Sequence, residues 1–178
     1  SYNYKSEKTG KFIRFAVNGE PLQIENYKHN VKHGWQIQLL SGNIVDPFKF
    51  NLDSLDLKTS IKSEINEVYE MKWGKRDGKS ICFYGDGTTL SINEFANGEK
   101  HGYQIYFLPG NNINPQSFCI ESDTRKYKNK IRKIEFYQLG KKVVNPFILA
   151  ALDLPIELSK IDTNDVSDNI QLDDEIPF

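Results

Sequence analysis

Laid over itself with a shift of 68 positions, the chain matches residues 10–53 to 78–121 without a gap, and 17 of those 44 positions are identical. The identities include Gly10/Gly78, Ile13/Ile81, Phe15/Phe83, Gly19/Gly87, Lys32/Lys100, His33/His101, Gly34/Gly102, Ile37/Ile105, Asn43/Asn111, Pro47/Pro115 and Phe50/Phe118. An internal duplication constrains topology strongly, because whatever the first copy folds into the second must also adopt. Inside each copy a step of 24 recurs, from Gly10 to Gly34 and from Gly78 to Gly102. Each of these glycines precedes a short apolar alternation: KFIRF, WQIQL, KSICF and YQIYF.

A period of two over five or six residues, ended by Gly, Asn or Asp, marks half-buried strands joined in hairpins. Ile13 and Phe15 are expected on one face with Arg14 on the other. The same logic pairs Ile81 with Phe83, Ile37 with Leu39, and Ile105 with Phe107. Further strands are expected at 22–27, 89–95, 48–52, 117–120, 65–73 and 131–139. The turns VNGE, GDGT, ANGEKHG and LPGNN are rich in Gly and Asn, which reach positive φ cheaply. The expectation is an all-β, predominantly antiparallel body built from a duplicated hairpin module. Helix is scarce: a short apolar one at 146–152 (PFILAAL), with Asn145 as its cap and Pro146 in its first turn, and a turn or two within 54–64. The organisation expected is a first β module over 1–76, a second over 77–158, and a flexible acidic tail over 159–178.

The net charge of −1 conceals a polarity along the chain. The last 18 residues hold six acids and no base, which leaves 18 acids against 23 bases in residues 1–160, about +5. No window approaches the roughly 18 apolar residues of a membrane span, and the start lacks a basic-then-apolar leader pattern, so a soluble, cytoplasmic protein with no membrane partner is expected. Cys82 and Cys119 fit no metal spacing and are expected as reduced thiols. His29, His33 and His101 have no ligand-spaced acidic or cysteine partners, no nucleophile motif accompanies them, and GDGTTL opens no helix. No metal, cofactor or enzymatic activity is expected.

The stretch WGKRDGKSICFYGDGTTLSINEFANGEKHGYQIYFLPGN resembles tandem MORN-type repeats, whose units run aromatic, Asn-Gly, basic, His-Gly, aromatic over a little more than twenty residues. That resemblance implies a hairpin-built scaffold. The first copy departs from it with His29-Asn30 in place of Asn-Gly, and long insertions separate the pairs. The final LDDEIPF resembles the C-terminal tip of bacterial and phage single-stranded DNA-binding proteins. This second resemblance implies a tip, Asp173, Asp174, Glu175, Ile176, Pro177 and Phe178, that docks host replication, recombination and repair proteins. The chemistry agrees: a terminal ring beside an α-carboxylate suits an apolar pocket edged by Arg, and Pro177 lowers the entropy lost on docking.

Owners of such a tip bind single-stranded DNA, which requires a basic track and aromatic faces on which bases stack. The candidates for that role are Arg14, Trp35, Trp73, Lys75, Arg76, Tyr84, Tyr103, Tyr106, Arg125, Lys128 and Arg132. Residues 125–133 (RKYKNKIRK) hold six bases and no acid, and Trp73 directly precedes GKRDGK. Trp35 and Tyr103 alternate in phase with Ile37 and Ile105, which favours burial. Phe12, Tyr84, Tyr106 and Tyr137 lie out of phase and suit an exposed platform. The function expected is a non-enzymatic single-stranded DNA-binding protein that coats DNA and recruits repair enzymes through its tip. The alternative is an interaction module that binds no nucleic acid and uses the tip to capture or block tip-reading proteins. For the fold, the alternative is an elaborated oligonucleotide-binding barrel.

Overall fold

The computed structural model describes residues 7–51 and 59–144. The expected helix at 146–152, the acidic tail and its tip lie outside the described residues. Ten strands form one antiparallel sheet: β1 Gly10–Phe15, β2 Pro21–Lys28, β3 Val31–Lys32, β4 Gly34–Leu39, β5 Ile65–Lys72, β6 Lys75–Phe83, β7 Thr89–Ala96, β8 Glu99–Phe107, β9 Ile131–Gln138 and β10 Lys141–Val143. Along the sheet the order is β1-β2-β4-β5-β6-β7-β8-β9-β10, with β3 paired to β2. Apart from β3, which pairs only with β2, each strand therefore pairs with the strands next to it along the chain. This meander replaces the alternative of a Greek-key oligonucleotide-binding barrel, because nothing in it crosses over. The expected boundary at residues 76/77 falls inside β6.

Four hairpins turn on two residues that both have positive φ: His29–Asn30, Trp73–Gly74, Asn97–Gly98 and Leu139–Gly140. That is the type I′ geometry whose twist matches paired strands. Trp73, expected to end a strand, is thus the first residue of a turn.

The alternation read from sequence becomes one continuous row. Ile13, Ile24, Ile37, Val68, Ile81, Ile92, Ile105 and Ile134 stand opposite one another, strand after strand, across eight strands. A β-branched side chain packs well on a pleated surface, and burying each contributes roughly 1.5–3 kcal/mol. The row needs a cover, and the two long connections supply it. Residues 40–51 bring Val45 and Phe50 against a cluster that contains Ile24, Ile37, Leu39, Ile65, Val68, Ile81 and Phe83. Residues 108–130 bring Ile113, Phe118, Ile120 and Tyr127 against Ile92, Ile105, Phe107 and Ile131.

These covers correct two strand assignments. Pro47–Lys49 is a 3-10 turn with Pro at its start and the Asp46 side chain accepting from the Phe48 N–H, so 48–52 is no strand where it is described. Residues 117–119 are not a strand either, and Ile120 opens the short helix α1, Ile120–Lys126. In each place a phenylalanine, Phe50 or Phe118, packs on the core from irregular backbone instead of alternating across a sheet. Thr59–Glu64, within the segment expected to hold helical turn, is 3-10 helix. Asn43 and Asn111 tie the covers down identically: Asn43 Nδ2 donates to Pro21 O and Leu40 O (2.9 and 2.6 Å), and Asn111 Nδ2 to Thr89 O and Leu108 O (2.8 and 2.6 Å).

Candidate nucleic-acid interface

Side chains that alternate with the isoleucine row occupy the other face. One row there reads Arg14, Gln23, Gln38, Glu67, Cys82, Ser91, Tyr106 and Lys133 across the same eight strands. A second includes Tyr69, Ser80, Asn93, Gln104 and Glu135. This face is polar, charged and ringed with aromatics.

Its organisation follows a motif of cation, any residue, glycine, which occurs at Lys8–Gly10, Lys32–Gly34, Arg76–Gly78 and Lys100–Gly102. The carbonyl of each cation accepts the N–H of the second residue in a type I′ turn: Asn30 to Lys8, Gly74 to Lys32, Gly98 to Arg76 and Gly140 to Lys100 (2.7–2.9 Å). The glycine lies opposite a large side chain on the next strand: Gly10 opposite Tyr27, Gly34 opposite Met71, Gly78 opposite Phe95 and Gly102 opposite Tyr137. Each of these glycines holds a positive φ, and three of the four cations, Lys8, Arg76 and Lys100, lie against rings. Lys8 Nζ stands 5.3 Å from the Tyr27 ring centre and 5.6 Å from that of Phe12. The Arg76 guanidinium is 4.3 Å from Tyr69 and 5.4 Å from Phe95, and Lys100 is 5.0 Å from Tyr137. Lys133 lies 5.8 Å from Tyr106 in the neighbouring row. Because the motif recurs on every second strand, its cations are spaced by about 10 Å, twice the interstrand distance.

Three carboxylates share the face. Glu25 pairs with Lys32 at 2.6 Å, Glu67 accepts both Arg76 terminal nitrogens, and Glu135 takes Lys133 and Lys142 at 2.7 and 2.9 Å. Burial works to raise the Glu25 and Glu135 carboxyls, but the lysine partners outweigh it and hold both below the ordinary value of 4.5. Burial works to lower the Arg76 pKa, but the bond to Glu67 outweighs it and holds the guanidinium above its ordinary value. Cys82, in the middle of the face, is held up chiefly by burial, and both cysteines are free thiols.

The residues named from sequence separate into groups. Arg14, Arg76 and Tyr106 are on this face. Trp73 and Lys75 sit at the hairpin end of the sheet. Trp73 is 54% exposed, with Lys28 Nζ 5.5 Å from its ring and the His33 ring 4.9 Å away. Trp35 and Tyr103 follow their phase with Ile37 and Ile105 onto the covered face, where Trp35 packs on the first cluster and Tyr103 edges onto Phe136 at 5.0 Å. Tyr84 lies beyond a bulge at the end of β6, and its hydroxyl donates to Phe107 O (2.9 Å). Arg125 and Lys128 belong to the cover over the isoleucine row, and Arg132 is the extra residue of a bulge in β9. The basic run at 125–133 is thereby divided between a cover and a strand, with Lys133 on the polar face. Of the proposed platform, Phe12, Tyr106 and Tyr137 do lie on that face, half-buried under cations.

Sequence reasoning did not single out Lys8, Tyr27, Tyr69, Phe95, Lys142 or the three carboxylates. The signal was present for the cations, as Lys/Arg two residues before a glycine, a spacing that Lys72 and Gly74 also show at the β5–β6 turn. The carboxylates left a weaker signature: Glu67 and Glu135 stand one period of 68 apart, but Glu25 corresponds to Asn93 in the second copy. Among the described residues no group of three metal-ligating side chains comes together, and no helix is long and apolar enough to cross a membrane.

Fold and face together define a class: a single-sheet hairpin meander with one covered apolar face and one basic, ring-lined face. The chain matches no protein-family model, and no curated protein is significantly similar to it.

Proposed function

We propose that the protein binds single-stranded DNA along the ring-lined face and recruits replication, recombination and repair enzymes through its C-terminal tip. The observation that carries the DNA reading is the recurrence of a cation next to an aromatic ring at three of the four motif positions, Lys8, Arg76 and Lys100. A nucleotide strand needs both at short range, one for phosphate and one for the base, with stacking worth roughly 1–3 kcal/mol per base. The recruiting role rests on the likeness of LDDEIPF to the tips of single-stranded DNA-binding proteins.

A second reading is favoured by the ion pairs of Glu25, Glu67 and Glu135, which already neutralise part of the face. In it the sheet is a spacer without nucleic-acid affinity, and the tip alone captures or blocks the proteins that read such tips.

Anisotropy of a labelled oligo-dT titrated with the full chain separates the two. The DNA reading expects log K to fall linearly with log salt, with a slope of about −0.7 per phosphate neutralised, and a shallower slope after Lys8→Ala, Lys32→Ala and Lys100→Ala together. Absence of binding at roughly 50 mM salt would leave the spacer reading standing and remove the first.

A further inference from the structure

Lys32 and Lys100 hold equivalent places in the two copies, yet their surroundings differ at three positions at once. In the first copy the Glu25 carboxylate takes Lys32 Nζ at 2.6 Å, and the Tyr27 hydroxyl donates to its other oxygen at 3.2 Å. In the second copy Asn93 stands where Glu25 does and Phe95 where Tyr27 does, so the carboxylate and the phenol that donates to it are missing together. The third difference lies one strand further on. Met71 stands opposite Gly34, whereas Tyr137 stands opposite Gly102, and the Tyr137 ring centre is 5.0 Å from Lys100 Nζ. Among the described residues Lys100 Nζ has no hydrogen bond and no ion pair. Asn93 does not replace the lost acceptor: its Nδ2 donates to Ser91 Oγ (2.9 Å) and its Oδ1 is buried without a partner.

The charge around Lys100 favours an anion. Tyr137 pairs in register with Lys142, and the carboxylate alongside, Glu135, holds both Lys133 and Lys142 (2.7 and 2.9 Å), so three ammonium groups meet one acid. Glu94 is engaged on the covered side, where its Oε2 accepts the Tyr103 N–H (2.8 Å), and Glu99 alternates with Lys100 along β8. At Lys32 the balance is even. The Glu25 side chain there is only 12% exposed, and a phosphate that took Lys32 would leave this covered carboxylate uncompensated. At Lys100 a phosphate gains a charge-assisted bond without that loss.

We propose that, of the two equivalent lysines, Lys100 alone seats a backbone phosphate of single-stranded DNA, with the adjoining base against Tyr137, and that Glu25 closes the seat at Lys32. Resting on the DNA-binding reading, this places the contact in the second copy and makes the first its closed counterpart.

Anisotropy of a labelled oligo-dT, titrated with the full chain between about 50 and 200 mM salt, is the test. Removing either lysine takes one positive charge from the same face, so a diffuse electrostatic effect predicts equal changes. Expected instead is that Lys100→Ala flattens the slope of log K on log salt by about 0.7, one phosphate, while Lys32→Ala leaves it unchanged. Asn93→Glu, which installs the first copy's carboxylate, should match Lys100→Ala. Glu25→Asn should free Lys32 and steepen the slope by about 0.7. Tyr137→Leu should lower affinity at least about fivefold at an unchanged slope, the loss of one stacked base. Equal slope changes in Lys32→Ala and Lys100→Ala, or an unchanged slope in Asn93→Glu, would overturn the proposal while DNA binding stands. No binding by the unaltered chain would overturn both. Asn93→Glu keeps the test decisive even where Lys32→Ala fails to fold.

Discussion

Three of the motif glycines do the same job in detail. A Cβ on Gly102 would sit 2.2 Å from Glu94 Oε2, one on Gly78 2.1 Å from Glu70 Oε2, and one on Gly34 3.2 Å from Asn26 Nδ2. In each case the crowding side chain comes eight residues earlier, across a hairpin. Gly10 shares the positive φ but has nothing within 4 Å of such a Cβ. Gly10→Ala should therefore cost only the left-handed backbone strain, about 1–2 kcal/mol. Gly102→Ala must also displace a carboxylate that holds the Tyr103 N–H, for a total of about 2–4 kcal/mol. Thermal melts of the two variants test this, and equal melting temperatures would contradict it. A gain is available at Leu139, which is 66% exposed and holds φ 46° at the first turn position between β9 and β10. Leu139→Asn should stabilise by about 1 kcal/mol, since Asn tolerates this conformation far better than Leu; an unchanged or lower melting temperature counts against it.

At the scale of the element, the β9–β10 edge depends on Glu135. Its carboxyl is opposed by burial and lowered by Lys133 and Lys142, so its folded pKa lies below the ordinary 4.5. A depressed carboxyl contributes stability that is present above 4.5 and lost as pH falls through the folded value. Lys142 works at the other end: the Glu135 hydrogen bond raises its pKa above 10.5, so its contribution is complete below 10.5 and lost as pH rises through the folded value. The edge should therefore be firmest between these limits. Glu135→Gln should destabilise the chain at pH 7 and flatten the stability loss seen on acidification below about 4.5. Urea melts at pH 7 and at pH 4 on both proteins check this, and parallel losses in the two would exclude the role.

For the whole molecule, the sheet runs unbroken through the junction of the two copies. The first core cluster takes Ile81 and Phe83 from β6, so the sheet and its core pass through the junction of the copies. Unfolding should accordingly be one transition. Both tryptophans, Trp35 and Trp73, lie in the first copy, whereas far-ultraviolet dichroism reports strands of both. The two signals should give coincident melting curves, and separated midpoints would show the copies unfolding independently. The hairpins, the two faces of the sheet and the placing of Trp35 and Tyr103 on the covered face were legible beforehand, because strand alternation is a local period of two that each residue reports by itself. The covers were not. Phe50 and Phe118 look like strand residues until contacts made across tens of positions show them packing on a core from irregular backbone. The site divides in the same way: the recurrence of Lys/Arg-x-Gly is written in the chain, but pairing with Glu25, Glu67 and Glu135 is set by register between strands. Lys11 and Lys79 are the sharpest case. Identical residues at equivalent positions, they part because the carbonyls of Phe48 and Phe50 accept Lys11 whereas the backbone after Phe118 turns into a helix, a difference no pattern of side chains encodes locally.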